Sequence, residues 1–239
     1  MKTFKCLIGL ILMVLLLPAC KPPAGDEALA MTAELTFMGR ASVRIDYADG
    51  TVIYIDPAYG MDTAYEKEAD LVLVTHQHSD HNKTDLVTLK DQGRIINCPV
   101  DIRVGQVLTL DHINDKYFKV EAVEAYNAYH SKDTSCGYVI TYGDLVIYHS
   151  GDTSTTEQMA HMSDFQIDYA LLCMDGYYNM DHEEAGQVAR MIEAMAVIPI
   201  HPDKDLSYNQ FVAEAFDFHT TIILRPRSST QLRDLHGTK

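Results

Sequence analysis

Residues 75–82 read THQHSDHN, which places three histidines and an aspartate within six positions. Imidazole and carboxylate together suit a divalent transition ion such as zinc, manganese or iron. In extended backbone, residues two apart face the same way, so His76 and His78 can address one point. Asp80 and His81 are adjacent and need a turn to join them. Three more donors follow short apolar or aromatic segments. His130 closes AYNAYH, Asp152 lies in SGDT after LVIYHS, and His201 lies in PIHP after AVIPI. Each sits at or near a strand edge, where a rigid base can aim a side chain.

This ordered set, with IDPAY, AYNAYH, GYVI, YHSGDT, YYNMDHEEA and VIPIHP around it, resembles the metallo-β-lactamase superfamily. Within that superfamily it looks closest to the UlaG-like lactonases and related zinc-dependent hydrolases. The resemblance runs from about residue 34 to about residue 225. It implies an α/β fold, a four-layer αββα sandwich with the metal site at one edge between two sheets. It also implies two divalent ions, zinc foremost, with manganese or iron as alternatives. His76, His78 and His130 would hold the first ion, Asp80, His81 and His201 the second, and Asp152 would bridge them. Asp56 in IDP resembles the acid that orients a ligand imidazole through its other ring nitrogen.

The chemistry implied is hydrolysis. Two ions about 3.5–4 Å apart share a water and lower its pKa toward neutrality. The bridged hydroxide attacks an ester, lactone, amide or phosphoester, with the ligand carboxylates Asp80 and Asp152 as the residues on which catalysis depends. No serine or cysteine nucleophile is required, and Cys136 and Cys173 have no recognisable base beside them. His149, just before SGDT, is expected either behind the ligands or in the core. Arg40, Tyr126, Asn127 and Tyr178 are candidates to line the substrate pocket. Arg40 stands where this branch often carries histidine, so it either pairs with a local acid or forks onto an anionic substrate group. Two other functions fit the same donors. One is a mononuclear iron dioxygenase of the same fold, and the other is a lipoprotein that binds metal or ligand without turnover.

The elements that must position these donors are short. ELTFMG, SVRIDY, TVIYID, LVLV, KYFKVEAV, GYVITY, LVIYHS, YALLCM, AVIPI and TTIILRP are β-branched, aromatic or wholly apolar, and predict strands. Ala48-Asp49-Gly50 and Gly143-Asp144 predict turns. Asp181 with Glu184, and Ser207 with Gln210, are capping-box patterns that predict two helix starts. Hairpins followed by strand–helix–strand units point to layered α/β architecture.

The chain has 239 residues and a formal net charge of −15, which argues against nucleic acid as a partner. Residues 1–20, MKTFKCLIGLILMVLLLPAC, have a basic start, an apolar run and a terminal Leu-Pro-Ala-Cys. That layout predicts a lipoprotein signal, with Cys20 lipidated and the protein anchored in a bacterial envelope, either in the outer membrane or on the outer face of the plasma membrane. Residues 21–30 read as a tether, and 31–239 as one hydrolase domain acting on a small molecule. Cys98, Cys136 and Cys173 leave room for one disulfide whose pairing the sequence does not choose.

Overall fold

The computed structural model describes residues 32–60, 62–113, 116–202 and 213–237. Strands β1 (Thr32–Gly39), β2 (Ser42–Tyr47), β3 (Val52–Ile55), β4 (Ala69–Val74) and β5 (Leu89–Asn97) are joined at the outer edge of β1 by β12 (Ser229–Arg233) to make one six-stranded sheet. The second sheet holds β6 (Val107–Ile113), β7 (Lys116–Glu124), β8 (Cys136–Tyr142), β9 (Leu145–His149), β10 (Tyr169–Cys173) and β11 (Ala196–Ile200). The expected lipidation site, the tether and the Ser207–Gln210 helix start lie outside the described residues.

Period-two alternation explains how the sheets stack. In β3, Ile53 and Ile55 face the second sheet while Val52 and Tyr54 face outward. In β4, Leu71 and Leu73 do the same, with Val72 and Val74 behind them. From the second sheet, Ile140, Ile147, Leu171 and Ile198 complete the shared core. Strands buried on both faces carry near-continuous apolar sequence, as LVLV and YALLC do. The outer face of the second sheet is covered by helix α1 (His182–Met191), through Ala185, Val188 and Ala189. Among the described residues, the outer face of the first sheet is covered by 3-10 turns at Asp62–Tyr65 and Thr84–Leu86.

Helix α1 begins where the capping pattern placed it. The Asp181 side chain accepts from the Glu184 backbone N–H at 2.8 Å. Glu184 does not reciprocate. It accepts instead from the backbone N–H and hydroxyl of Thr155 at 2.7 and 2.8 Å, tying the helix start to the loop after Asp152. The hairpin at Gly143-Asp144 also forms as expected, with Tyr142 paired to Leu145.

TTIILRP is not a strand. It makes a single bridge at Thr221 beside Val197, and its chain then crosses to the first sheet, where Arg227 N–H donates to Phe37 O at 2.7 Å. A segment that passes from one sheet edge to the other cannot stay in register with either. The sequence reasoning also missed β5, β6 and β12. Strands β5 and β12 are edge strands with few buried residues, so their apolar signal is weak. In β6 the alternating start Val107-Leu108-Thr109-Leu110 was a usable signal.

The parallel pairings carry the functional consequence. β3 runs parallel to β4, and β9, β10 and β11 are mutually parallel neighbours. Their C-terminal ends therefore emerge on common edges, and every expected acid or histidine following these strands emerges there too. A stitch joins the sheets at that end. Cys136 N–H donates to Thr75 O at 3.0 Å, and Tyr138 Oη donates to Val74 O at 2.7 Å. Because Leu171 is fully buried between the sheets, Leu171→Ala should cost about 2–5 kcal/mol of unfolding free energy, read as a lower urea midpoint at an unchanged slope.

Candidate metal centre

Beyond β4 the chain turns at once, and three ring nitrogens meet. His76 Nε2 lies 3.1 Å from His78 Nδ1, and His130 Nε2 lies 3.2 Å from the same atom. A tetrahedral ion with metal–nitrogen bonds of about 2.0–2.1 Å has ligand-to-ligand edges of about 3.3 Å. The three imidazoles therefore already have the spacing of ligands around one centre. A second group, Asp80, His81 and His201, brings its donor atoms within 4.8 Å of one another. Asp152 stands between the groups. Its Oδ2 is 3.6 Å from both His130 Nε2 and His201 Nε2, and its Oδ1 is 3.5 Å from His81 Nε2. His81 Nε2 and Asp152 Oδ1 are buried and have no hydrogen-bond partner among the described residues. Orphaned polar atoms of this kind, in a pocket of imidazoles and carboxylates, fit a cation.

Three of these rings face a polar partner on their far side. His81 Nδ1 donates to Asp56 Oδ2 at 2.8 Å, which leaves Nε2 facing the centre. Asp56 is itself fully buried, and it also accepts from the Thr75 backbone N–H and hydroxyl, each at 2.7 Å. His130 Nδ1 donates to Asn127 Oδ1 at 2.9 Å, and Asn127 is fixed by Asn179 at 2.9 Å. His201 Nδ1 lies 3.1 Å from Asp175 Oδ2. Asp175 was not anticipated from the sequence. The signal was present, because it follows β10 as Asp56 follows β3. Its carboxyl is held low although burial pushes the other way, because His201 and backbone N–H groups of the 177–179 turn bond to it.

The field of the site follows from this packing. Burial pushes His76 down to about 2, with His81 beside it adding to the effect. Burial likewise lowers His130. Burial works against charge on His81, but Asp152 and Asp56 outweigh it and hold the ring well above its usual range. For Asp152, burial would raise the carboxyl, but His201 and His81 hold it well below the usual carboxylate range. A field that favours a proton on His81 also favours a metal cation there, and the two compete.

The other expected residues sort clearly. His149 is fully buried behind the site. Its Nε2 donates to Ala41 O at 3.0 Å and its Nδ1 accepts from Gly151 N–H at 3.1 Å, so it links the turns that carry Arg40 and Asp152. Arg40 and Tyr178 line a cavity of about 460 Å³ together with His78, Asp80, Tyr129, His130 and Asp152. Tyr126 and Asn127 do not line it. Asn127 is spent on His130, and the Tyr126 ring lies under Lys132 at 5.3 Å. Tyr129 takes the place expected of them, and packs edge-on against Tyr178 at 4.9 Å. Cys98, Cys136 and Cys173 are buried free thiols, and burial raises Cys136 and Cys173 further from the reactive thiolate.

Changing His76 and His78 together to Ala should leave a folded chain that binds no ion at the three-histidine group, measured by elemental analysis after dialysis and by circular dichroism. Full metal content in that double variant would remove both residues from the centre.

A family model for the beta-lactamase superfamily domain matches residues 34–201. A UPF0173 metal-dependent hydrolase of Thermococcus onnurineus is 29% identical over 224 residues, covering 83% of this chain and 99% of the relative. One from Nitratidesulfovibrio vulgaris is 31% identical over 193 residues, covering 72% and 80%. Among solved structures, a protein of Parabacteroides distasonis named as a candidate metal-dependent hydrolase aligns with a TM-score of 0.68 at 26% identity, over 86% of this chain and 94% of that one. Igni18, a metallo hydrolase of Ignicoccus hospitalis, aligns with a TM-score of 0.67 at 21% identity, over 84% and 99%, a likeness of fold. With the family model spanning most of the described fold and every donor discussed above from Arg40 to His201, this chain belongs to the metallo-beta-lactamase superfamily.

Proposed function

We propose that this chain hydrolyses an ester, lactone, amide or phosphoester of a small molecule at the three-histidine centre. The observation that carries this is the convergence of His76 Nε2, His78 Nδ1 and His130 Nε2, with Asp152 beside them, next to an open cavity that His78, His130 and Asp152 line. Relatives named metal-dependent hydrolases support the reaction class. The lactone and ester part of the range rests on the resemblance to the UlaG-like branch. A bound divalent ion supplies a water acidified toward neutrality and a Lewis acid for the oxygen under attack.

The protein's own residues do the rest. His76, His78 and His130 hold the ion, and Asn127 and Thr75 keep two of these rings from rotating. Asp152 stays ionised and faces the reacting edge. Tyr129 and Tyr178 form an aromatic wall at the mouth, suited to the unreactive part of a substrate. The net charge of −15 makes a small molecule a better substrate than nucleic acid. A two-ion version of the site needs Asp80, His81 and His201 free for a second cation, and Arg40 bears on that directly.

Stripping the purified chain with a chelator should abolish turnover on a lactone, ester and phosphodiester panel, and zinc or manganese should restore it. Asp152→Ala should lower kcat on the order of 100-fold or more while circular dichroism stays unchanged. Near-normal turnover in that variant would defeat the assignment.

We further propose that Cys20 carries a lipid anchor that holds the domain at a membrane surface, since two or three acyl chains suffice for stable anchoring. Cys20→Ser should release the protein from the membrane fraction or leave its signal uncleaved. Wild-type protein found in the cytosol with Met1 intact would refute it.

A further inference from the structure

We propose that the Arg40 guanidinium takes the place of a second ion, so that this chain works with one metal ion at His76, His78 and His130 and a fixed organic cation against Asp80 and His201. The inference rests on the hydrolase reading above.

The geometry is specific. Arg40 Nε lies 2.7 Å from His201 Nε2 and 2.9 Å from Asp80 Oδ2. Those two residues supply two of the three donors in the second group. A neutral imidazole offers one lone pair. Arg40 Nε–H donates to His201 Nε2, so the ring proton of the neutral imidazole is on Nδ1, 3.1 Å from Asp175 Oδ2. A lone pair that accepts an N–H does not bind an ion at the same time. Charge points the same way, because a guanidinium and a divalent ion within a few ångströms in a buried site repel each other strongly.

Arg40 is built into this position. Its side chain is 8% exposed. Its carbonyl accepts from the His201 backbone N–H at 2.7 Å, so backbone and side chain both tie the two residues together. Arg40 and His201 each adopt left-handed backbone, with φ of 53° and 50°. Non-glycine residues pay for that conformation, and the cost is sustained where surrounding contacts over-determine it. The orphaned atoms His81 Nε2 and Asp152 Oδ1 group with His76, and His81 Nε2 belongs to the Asp80 and His201 group as well. The cationic role at Asp80 and His201 is thus already filled, while the donors facing the first centre remain open to an ion.

The test is a metal count. The full chain is stripped, dialysed, and titrated with zinc and with cobalt, and bound metal is measured by elemental analysis and by the cobalt absorption spectrum. The wild type should hold one ion. Arg40→Ala should hold two, its second binding on the order of 10- to 100-fold tighter than any second binding by the wild type. Asp80→Ala should leave the count at one, because Arg40 and not an ion holds Asp80. Two tightly held ions in the wild type, one ion in a folded Arg40→Ala variant, or loss of an ion from Asp80→Ala overturns the proposal. If Arg40→Ala does not fold, the wild-type and Asp80→Ala counts decide it. A wild type that binds no ion overturns the hydrolase reading itself, and this proposal with it.

Discussion

The fully buried Asp56 carboxylate is the contact on which the site depends. It sits at the end of β3, accepts from the backbone and hydroxyl of Thr75 at the end of β4, and accepts from His81 across the loop. A buried charge is tolerated only when its lone pairs are used, and here three donors use them. The arrangement converts a sheet register into an imidazole orientation. Because β3 and β4 are parallel neighbours, Asp56 and Thr75 are brought together by backbone pairing, and His81 is then pinned without any flexible link. The same logic recurs on the second sheet, where Asp175 after β10 stands behind His201 after β11. Two sheets each supply a carboxylate at one strand end to orient a histidine at the next.

The cost of this arrangement is visible in the backbone. Arg40, Asp56 and His201 all carry positive φ without being glycine. Gly151 shows the same crowding from the other side. Its φ is 61°, and a Cβ there would meet Cys136 O at 2.9 Å and Thr75 Cβ at 3.2 Å. The loop carrying Asp152 thus passes against the stitch between the sheets at a distance only glycine permits. The sandwich core, with Leu71, Ile140 and Leu171 fully buried, supplies the stability that such strain draws on.

Much of this was legible before any coordinates. The convergence of these side chains was legible because metal chemistry restricts residue type, and H-x-H-x-D-H concentrates the imidazole and carboxylate that a cation calls for. Strands buried on both faces, such as β4 and β10, were legible because they must be apolar throughout. The polar edge strands β5 and β12 were not, since an edge with one face in water needs little apolar sequence. TTIILRP misled for a related reason. Its residues have strand preference, but its place in the chain requires it to cross between sheets. Asn127 was expected in the pocket and instead holds His130, while Tyr129 lines the cavity. Alternation along AYNAYH does not decide this, because the segment is a loop whose side-chain directions are set by the Asn127 hydrogen bonds to Tyr129 N–H and His130 N–H.

Arg40 marks where residue type stops being informative. An arginine in a turn after a strand reads equally well as a surface ion pair or a fork for an anionic substrate. Its real partners are Asp80 and His201, forty and more than a hundred and sixty residues away in sequence. That outcome depends on the left-handed turn at Gly39-Arg40 and on the hydrogen bond from His201 N–H to Arg40 O, neither of which composition or spacing encodes. A pattern of ligands in a sequence states which atoms can donate to a cation. Which cation can reach them depends on the fold, because a guanidinium held by its own backbone occupies donors that an ion from solution would need.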